Sequence, residues 1–483
     1  MTKFWTLEDV YDSIGGFGRF QLLVVCTILF PVWPAGMMDL QPIFTGSHPV
    51  KWICKNGSAS YDVTDDNVAL CSCNGTLDGG NESIVSEWLL ICDYAWVADF
   101  ITSIQMMGMM TGDIIVSYLA DRLGRKQPLY LSCLSLMLGS ISSSFAGSLF
   151  TYAIARFFVG VGVSSILVLA SYYPMEFLTP RWRCVSGSAA GPLGEGVMTL
   201  AILARYFRPW RQLCLATSVP MMIMFLTYPF LPESPRWLLM NGKVDEAQVV
   251  LNTIARINKR EPVKETIVEK LAECVKVCEE RNSQGGLSSV SFYGNIRFFR
   301  KTVIFMGCWF NVCLLYYGIG FNMKNLAGDP YWNVFYLGIG DVIGLRSAIF
   351  VSKWFGRKKS FAIYMSLAGV LMFSVVFIHA GMLEYNEFHI NICTFVGKVF
   401  VAAAFAVLEW FTSESFPTAV RSKAVGFANV AGSFAGIIAP QMAFLGSMCQ
   451  VGPYLIFSTV AVMSSCSTLF LKETIGKPLE ENV

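Results

Sequence analysis

Twelve apolar runs, each long enough to cross a lipid bilayer, dominate this sequence and leave few other folds open to it. A spanning α-helix takes about 20 mostly apolar residues. Inside lipid its backbone N–H and C=O groups must also be satisfied within the helix itself. The runs fall at 22–44, 94–119, 128–148, 149–173, 184–206, 210–231, 302–323, 331–352, 360–381, 390–412, 422–445 and 451–471. Only 14% of the 483 residues are charged and 54% are hydrophobic, whereas soluble domains carry about 25% charge. The expected fold is all-α and integral to the membrane, with twelve transmembrane helices in two pseudo-symmetric six-helix bundles. Residues 1–20 lack the pattern of a cleavable signal peptide, so the first run is expected to direct insertion. A net charge of +2 supplies no basic field for nucleic acid.

Two hydrophilic segments, 45–93 and 232–301, interrupt the runs, and the second divides them six and six. The expected organisation is a cytoplasmic N-terminus (1–21), a first bundle (22–231) containing the loop 45–93, a cytoplasmic linker (232–301), a second bundle (302–471) and a cytoplasmic tail (472–483). The linker pattern predicts short amphipathic helices. Lys and Arg in short loops set orientation. With both termini inside, the inner loops hold Arg122, Arg125, Lys126, Arg181, Arg183, Lys353, Arg357, Lys358, Lys359, Arg421 and Lys423. The outer loops hold Arg205, Arg208, Arg211 and Lys324, and the arginines after the fifth run oppose the rule. Segment 45–93 then lies outside. It carries glycosylation sequons at Asn56, Asn74 and Asn81. It also carries Cys54, Cys71, Cys73 and Cys92, enough for two disulfides in any of three connectivities. The remaining cysteines form no zinc-ligand spacing, so no metal site is expected.

The two halves share signatures. Asp121-Arg-Leu-Gly-Arg-Lys126 follows the second run and Lys353-Trp-Phe-Gly-Arg-Lys358 the eighth; Glu176 and Arg183 follow the fourth, and Glu414 and Arg421 the tenth, at the same separation. Recurrence in order argues for a duplicated six-helix unit. The glycines permit tight reversals, and the arginines can pair with acids at helix ends. Pairs made when one face closes and broken when it opens would act as a gate.

Several segments together resemble the organic ion transporter family of the major facilitator superfamily, most closely its organic cation members. They are Gly16-Phe-Gly-Arg-Phe-Gln21, the cysteine-bearing loop closed by Ile84-Val-Ser-Glu-Trp88 and Cys92-Asp93, and Ala120 to Lys126. Pro232-Glu-Ser-Pro-Arg-Trp237, Tyr316-Tyr-Gly318, Glu414-Ser-Phe-Pro-Thr418, and Glu473-Thr474 with Lys477-Pro-Leu479 complete the set. The resemblance implies alternating access around a central site. It implies small organic ions as substrates, moved by facilitated diffusion, by exchange or with a coupling ion as a further partner, with no prosthetic cofactor and a plasma-membrane location. The expected gating set is Asp121, Arg122, Arg125, Glu176, Arg183, Glu233, Arg236, Arg357, Glu414 and Arg421.

Ionisable groups within lipid are costly, so each is a functional candidate. The runs offer Glu195, Asp341 and Glu409 against Arg156, Arg346 and Lys398, and the resemblance makes Arg156 and Lys398 structural. Asp341 is the leading candidate for meeting an organic ammonium group; its alternative is a standing pair with Arg346, five residues on and about 500° round a helix. Tyr316 and Tyr317 are candidate cation-facing aromatics. Ser433 stands where the family carries a charge that separates cation from anion carriers, and Glu409 stands where it carries an aromatic. Glu195, Arg346, Lys398 and Ser433 complete the expected substrate set, whose acid excess favours organic cations or zwitterions. An organic anion carrier is the alternative. A sugar carrier is disfavoured by the lack of glutamine in 304–321; the unusual Lys353 and Ser433 leave open a transport-inactive receptor, which saturable uptake would exclude. With His only at 48, 379 and 389 and no catalytic spacing, an enzyme is not expected.

Overall fold

The computed structural model describes residues 7–48, 52–56, 59–63, 76–78, 82–179, 182, 191–273, 296–382, 384, 386–416 and 418–474. Over its described residues, each expected run lies mainly on helix. In chain order these are α1 (Arg19–Thr45, broken by short turns), α2 (Val97–Leu123), α3 (Lys126–Ser144), α4 (Leu149–Tyr172), α5 (Gly191–Tyr206) and α6 (Trp210–Leu226). The second series is α7 (Ile296–Asn322), α8 (Pro330–Phe355), α9 (Arg357–His379), α10 (Glu387–Ser415), α11 (Thr418–Met448) and α12 (Val451–Ser467). Among the described residues nine helices are long and apolar enough to cross a membrane on those grounds alone. The others are the serine-rich α3, the short α5, and α6, which carries Pro220. Because α7 begins at Ile296, the linker ends before the expected 301.

Packing repeats between the halves. α1 packs on α5 as α7 packs on α11; α2 on α4 as α8 on α10; α3 on α4 as α9 on α10; α3 on α6 as α9 on α12. The halves meet through α5 with α8 and through α2 with α11, which exchange under the same symmetry. Apolar side chains cover the outside: Phe145, Phe150, Leu226, Phe230, Trp354 and Phe470 are all exposed, at or near helix ends where bilayer interfaces favour aromatics. Among the charged residues within the helices, Asp39, Asp99, Arg156, Asp341 and Lys398 are buried, while Glu195 and Arg346 are exposed.

Small residues set the closest approaches, as in other lipid-embedded bundles where van der Waals contact replaces the hydrophobic effect. A Cβ on Gly160 of α4 would stand 1.9 Å from the Gln105 carbonyl oxygen of α2, and one on Gly108 of α2 2.1 Å from that of Phe157. In the second half a Cβ on Gly344 of α8 would stand 2.5 Å from the Val399 carbonyl oxygen of α10.

One face of the bundle carries the segment between α1 and α2, here the loop face. Strands β1 (Trp52–Asn56), β2 (Ala59–Val63) and β3 (Thr76–Asp78) form an antiparallel sheet in the order β2-β1-β3. Cys54 and Cys92 are each disulfide-bonded. Cys71, Cys73, Asn74 and Asn81 lie outside the described residues, as does the side chain of Asn56. The Ile84–Glu87 turn docks on the bundle through Glu87, which pairs with Arg211 and accepts from Trp210 Nε1 at 2.9 Å. Trp88 packs against both Tyr152 and Trp210. These contacts explain why arginines after α5 oppose the charge rule. Arg211 binds Glu87 and the carbonyls of Ser144 and Ala146, while Arg205 meets Asp329 at 3.0 Å and lies over the Tyr331 ring. They are counter-charged packing groups on the loop face.

The opposite face, here the terminal face, holds the N-terminal helix Leu7–Ser13 and the linker helices Pro235–Met240 and Val244–Ile257. The latter buries Ala247, Leu251, Ile254 and Ala255 along one face. Asn258 ties linker to N-terminus: its Oδ1 accepts from the Phe20 N–H at 3.0 Å and its Nδ2 donates to the Ile14 carbonyl at 3.0 Å. Substituting Gly160→Ala should destabilise the protein by about 1–3 kcal/mol through overpacking. A thermal melt in detergent should show an earlier transition, and an unchanged melt would contradict this account of the α2–α4 contact.

Candidate functional site

A cavity of about 240 Å³ lies between the halves. It is lined from α2 (Met106, Asp113), α4 (Ser164, Ser171), α7 (Trp309, Tyr316, Tyr317), α8 (Asp341), α10 (Phe405, Glu409) and α11 (Ser433). These positions run from mid-helix toward the terminal face. The lining is mostly apolar and aromatic with three carboxyl groups, and among the described lining residues there is no Lys, Arg or His. Glu409 has no hydrogen-bond or ion-pair partner among the described residues. Asp113 accepts a hydrogen bond from Ser433 Oγ at 3.1 Å, across the two halves.

Asp341 is present in the cavity wall but is already answered. Its Oδ2 accepts from Tyr316 OH at 2.9 Å, and its Oδ1 lies 3.5 Å from Lys398 Nζ, both charged groups being essentially fully buried. Lys398 also donates to the Tyr316 carbonyl at 3.0 Å and sits over that residue's ring. Lys398 therefore stands behind Asp341. The alternative pairing of Asp341 with Arg346 does not occur: the rotation between them puts Arg346 on an exposed face of α8, 3.9 Å from Glu195 of α5. Neither Glu195 nor Arg346 lines the cavity. The tally of three acids in the spans is also corrected, because Asp39, Asp99 and Asp113 lie within α1 and α2. Their signal was in the sequence, as single acids inside long apolar runs. Arg156 is fully buried, donating to Gln41 Oε1 at 2.7 Å and to Tyr152 OH at 2.9 Å, a packing role between α1 and α4.

The expected gating residues form two matching networks on the terminal face. In the first half Arg125 Nε meets Glu176 at 3.0 Å and Arg125 Nη1 meets Asp121 at 3.1 Å. Glu233 receives the backbone N–H groups of Arg125 at 2.7 Å and Lys126 at 3.1 Å. Burial raises the Glu233 carboxyl above its ordinary value, against the pull of those N–H donors. In the second half Arg357 meets Glu414 at 2.9 Å. Glu473 receives the N–H groups of Arg357 at 2.8 Å and Lys358 at 3.1 Å. Gly124 and Gly356 have φ of +95° and +86°, and a Cβ there would collide with the Glu233 or Glu473 carboxylate. Glu473 is thus the counterpart of Glu233, visible beforehand only as part of a Glu-Thr pair. Lys353 replaces Asp121, so Arg357 has no counterpart of the Asp121 contact in that position. Arg236 lies 3.9 Å from Glu8, and exposed Arg122 lies over Tyr118. Arg183 and the side chain of Arg421 are outside the described residues.

These pairs join helices within one half, and they are intact while the loop face is sealed. The bonds across halves run from the loop face down to mid-helix. Lys324 meets both carboxylate oxygens of Asp99 at 2.7 and 2.8 Å, Arg205 meets Asp329, Phe44 stacks on Tyr331 at 5.4 Å, and Gln441 donates to Ser103 at 3.2 Å. Removing one partner of a buried ion pair leaves an uncompensated charge and costs about 3–5 kcal/mol. Asp341→Asn alone should therefore lower the melting temperature strongly, and Asp341→Asn with Lys398→Met should recover much of the loss. A double variant no more stable than the single would show that Lys398 does not depend on Asp341.

The family model described as sugar (and other) transporter matches residues 88–482. An organic cation transporter-like protein of Drosophila melanogaster is 30% identical, over 99% of this chain and 91% of that protein. A solute carrier family 22 member 15-like protein of Xenopus tropicalis is 31% identical, over 83% of this chain and 81% of that protein. In fold, the xylose transporter XylE of E. coli superimposes with a TM-score of 0.67 at 17% identity, covering 97% of this chain and all of that one. The repeated pairing of helices, the central cavity and these matches agree: the chain belongs to the sugar (and other) transporter family of the major facilitator superfamily, alongside organic cation transporters and solute carrier family 22 proteins.

Proposed function

We propose that this protein carries small organic cations, or zwitterions presenting a cationic group, across the plasma membrane by alternating access. The observation that carries the reading is the sign of the cavity: Asp113, Asp341 and Glu409 line it without a basic side chain among the described lining residues. Asp341 is matched by Lys398 and Tyr316, so the carboxyls left for a substrate are Glu409 from the second half and Asp113 from the first. Trp309, Tyr316, Tyr317 and Phe405 supply ring faces, each worth about 0.5–2 kcal/mol to a desolvated cation. Asp113 takes over at the position where Ser433 lacks the family's charge, reaching the same place from across the cavity. The Drosophila melanogaster relative named organic cation transporter-like protein supports the same class.

In this reading 22–231 and 302–471 are the two moving bundles, and the terminal face is cytoplasmic. The Asp99–Lys324 and Arg205–Asp329 pairs are the closed outer gate. The Arg125–Glu176 and Arg357–Glu414 networks brace the inner ends of each bundle so that each moves as a body. Glycans on Asn56, Asn74 and Asn81 would face outward. An organic anion would meet like charge in this cavity, which makes that alternative the weaker one.

The test is uptake of labelled tetraethylammonium beside a labelled aromatic carboxylate in expressing cells, at two membrane potentials. Tetraethylammonium uptake should saturate and increase with a more negative interior. Glu409→Gln and Asp113→Asn should each raise its KM about tenfold, equivalent to about 1.4 kcal/mol, with surface expression unchanged. Carboxylate uptake indifferent to both substitutions would reject the cation reading.

A further inference from the structure

Asp39 lies near the loop-side end of α1, just before the break at Pro42. It is 2% exposed, and its Oδ1 meets no hydrogen-bond donor among the described residues. Its own carbonyl accepts from Gln105 Nε2 of α2 at 3.0 Å, which fixes the backbone that carries it. The adjacent Leu40 reaches the other half, its Cδ2 3.7 Å from where a Cβ on Gly320 of α7 would stand, and the charged groups acting on Asp39 are Lys398 of α10 and Asp341 of α8. On its own half, Arg156 of α4 is committed to Gln41 and Tyr152. α5 and α6 present Thr199 to Trp33 and Thr217 to Gln41, and Glu195 of α5 faces away toward Arg346.

Two carboxyl groups and one ammonium are thus enclosed where the halves meet. Lys398 is 3.5 Å from Asp341, and Tyr316 donates to the same carboxylate. One acid remains without an answering charge, on an oxygen without a donor. An isolated ionised carboxylate in such a place is strongly unfavourable, and the group resolves the cost by binding a proton.

We propose that Asp39 is a proton site of this carrier. Its carboxylate takes one proton from hydronium in the loop-side water as the halves close over it, forming the neutral acid and releasing water. It returns that proton when the face opens and Asp39 parts from Asp341 and Lys398. Closure of the loop face is thereby favoured by acid on that side. The inference rests on the alternating-access reading above and not on the charge of the substrate.

Two measurements on the full chain reconstituted in lipid test it. Infrared spectra near neutral pH should contain a carboxylic-acid C=O band that Asp39→Asn removes and Glu409→Gln leaves in place. Initial tetraethylammonium uptake from the loop side should rise severalfold as that side is acidified from about pH 8 to about pH 6, within the limit of about tenfold per pH unit for one proton. Asp39→Asn, which stands in for the protonated acid, should transport at the acid-side rate throughout. Infrared spectra identical in wild type and Asp39→Asn would overturn the proposal, and so would an Asp39→Asn variant that follows the wild-type pH curve. Should no protein transport tetraethylammonium, the infrared comparison still decides the proton site, and the substrate reading fails alone.

Discussion

A charge withdrawn from water between helices must be answered by another group, and the arrangement of this protein follows from how each one is answered. Coulomb attraction in a low dielectric is strong, but so is the loss of hydration. Lys398 is held by Asp341, a tyrosine ring and a backbone carbonyl. Arg156 is held by an amide and a phenol. Lys324 closes on Asp99 with both oxygens engaged. Once these groups are matched, Asp113 and Glu409 are the acids left over in the cavity. On the proposed reading, charge balance thereby links the packing of the bundle to its selectivity.

The same economy shows in the symmetry. Equivalent helices pair in both halves, and equivalent arginines, glutamates and glycines fasten the turns on the terminal face. The halves differ where function needs them to. The first contributes Asp113 and Asp39, and the second contributes Asp341, Lys398, Glu409 and the cavity aromatics. On the reading proposed above, a substrate held between Asp113 and Glu409 would touch both bodies that move. Binding can then bias one arrangement over the other, since a ligand shifts an equilibrium only by interacting differently with its two states.

The helical runs and the duplicated turn motifs were legible because a 20-residue apolar stretch and a glycine turn flanked by arginines have few structural meanings. The Arg346 alternative was not decidable, because five residues of helix leave a face in doubt until neighbouring helices are placed. Nor could Lys398 be assigned to Asp341 from spacing, since the two lie on different helices. Asp39, Asp99 and Asp113 were within reach, each a lone acid in an apolar run, but only packing separates an acid bound to Lys324 from one lining a cavity. Glu473 gains its meaning from a turn 116 residues earlier in the chain. Local patterns do not report such a partner.

That last distance bears on how the molecule is made. The turn between α2 and α3 is fastened by Glu233, which follows Arg125 by 108 residues, and so can be completed once the first six helices have left the ribosome. Its twin between α8 and α9 waits for Glu473, beyond the end of α12. The first half can mature while synthesis continues, whereas the second keeps an open turn until the chain has passed the end of α12. A chain stopped a few residues short of Glu473 would have all twelve helices and still lack the carboxylate that fastens its second half.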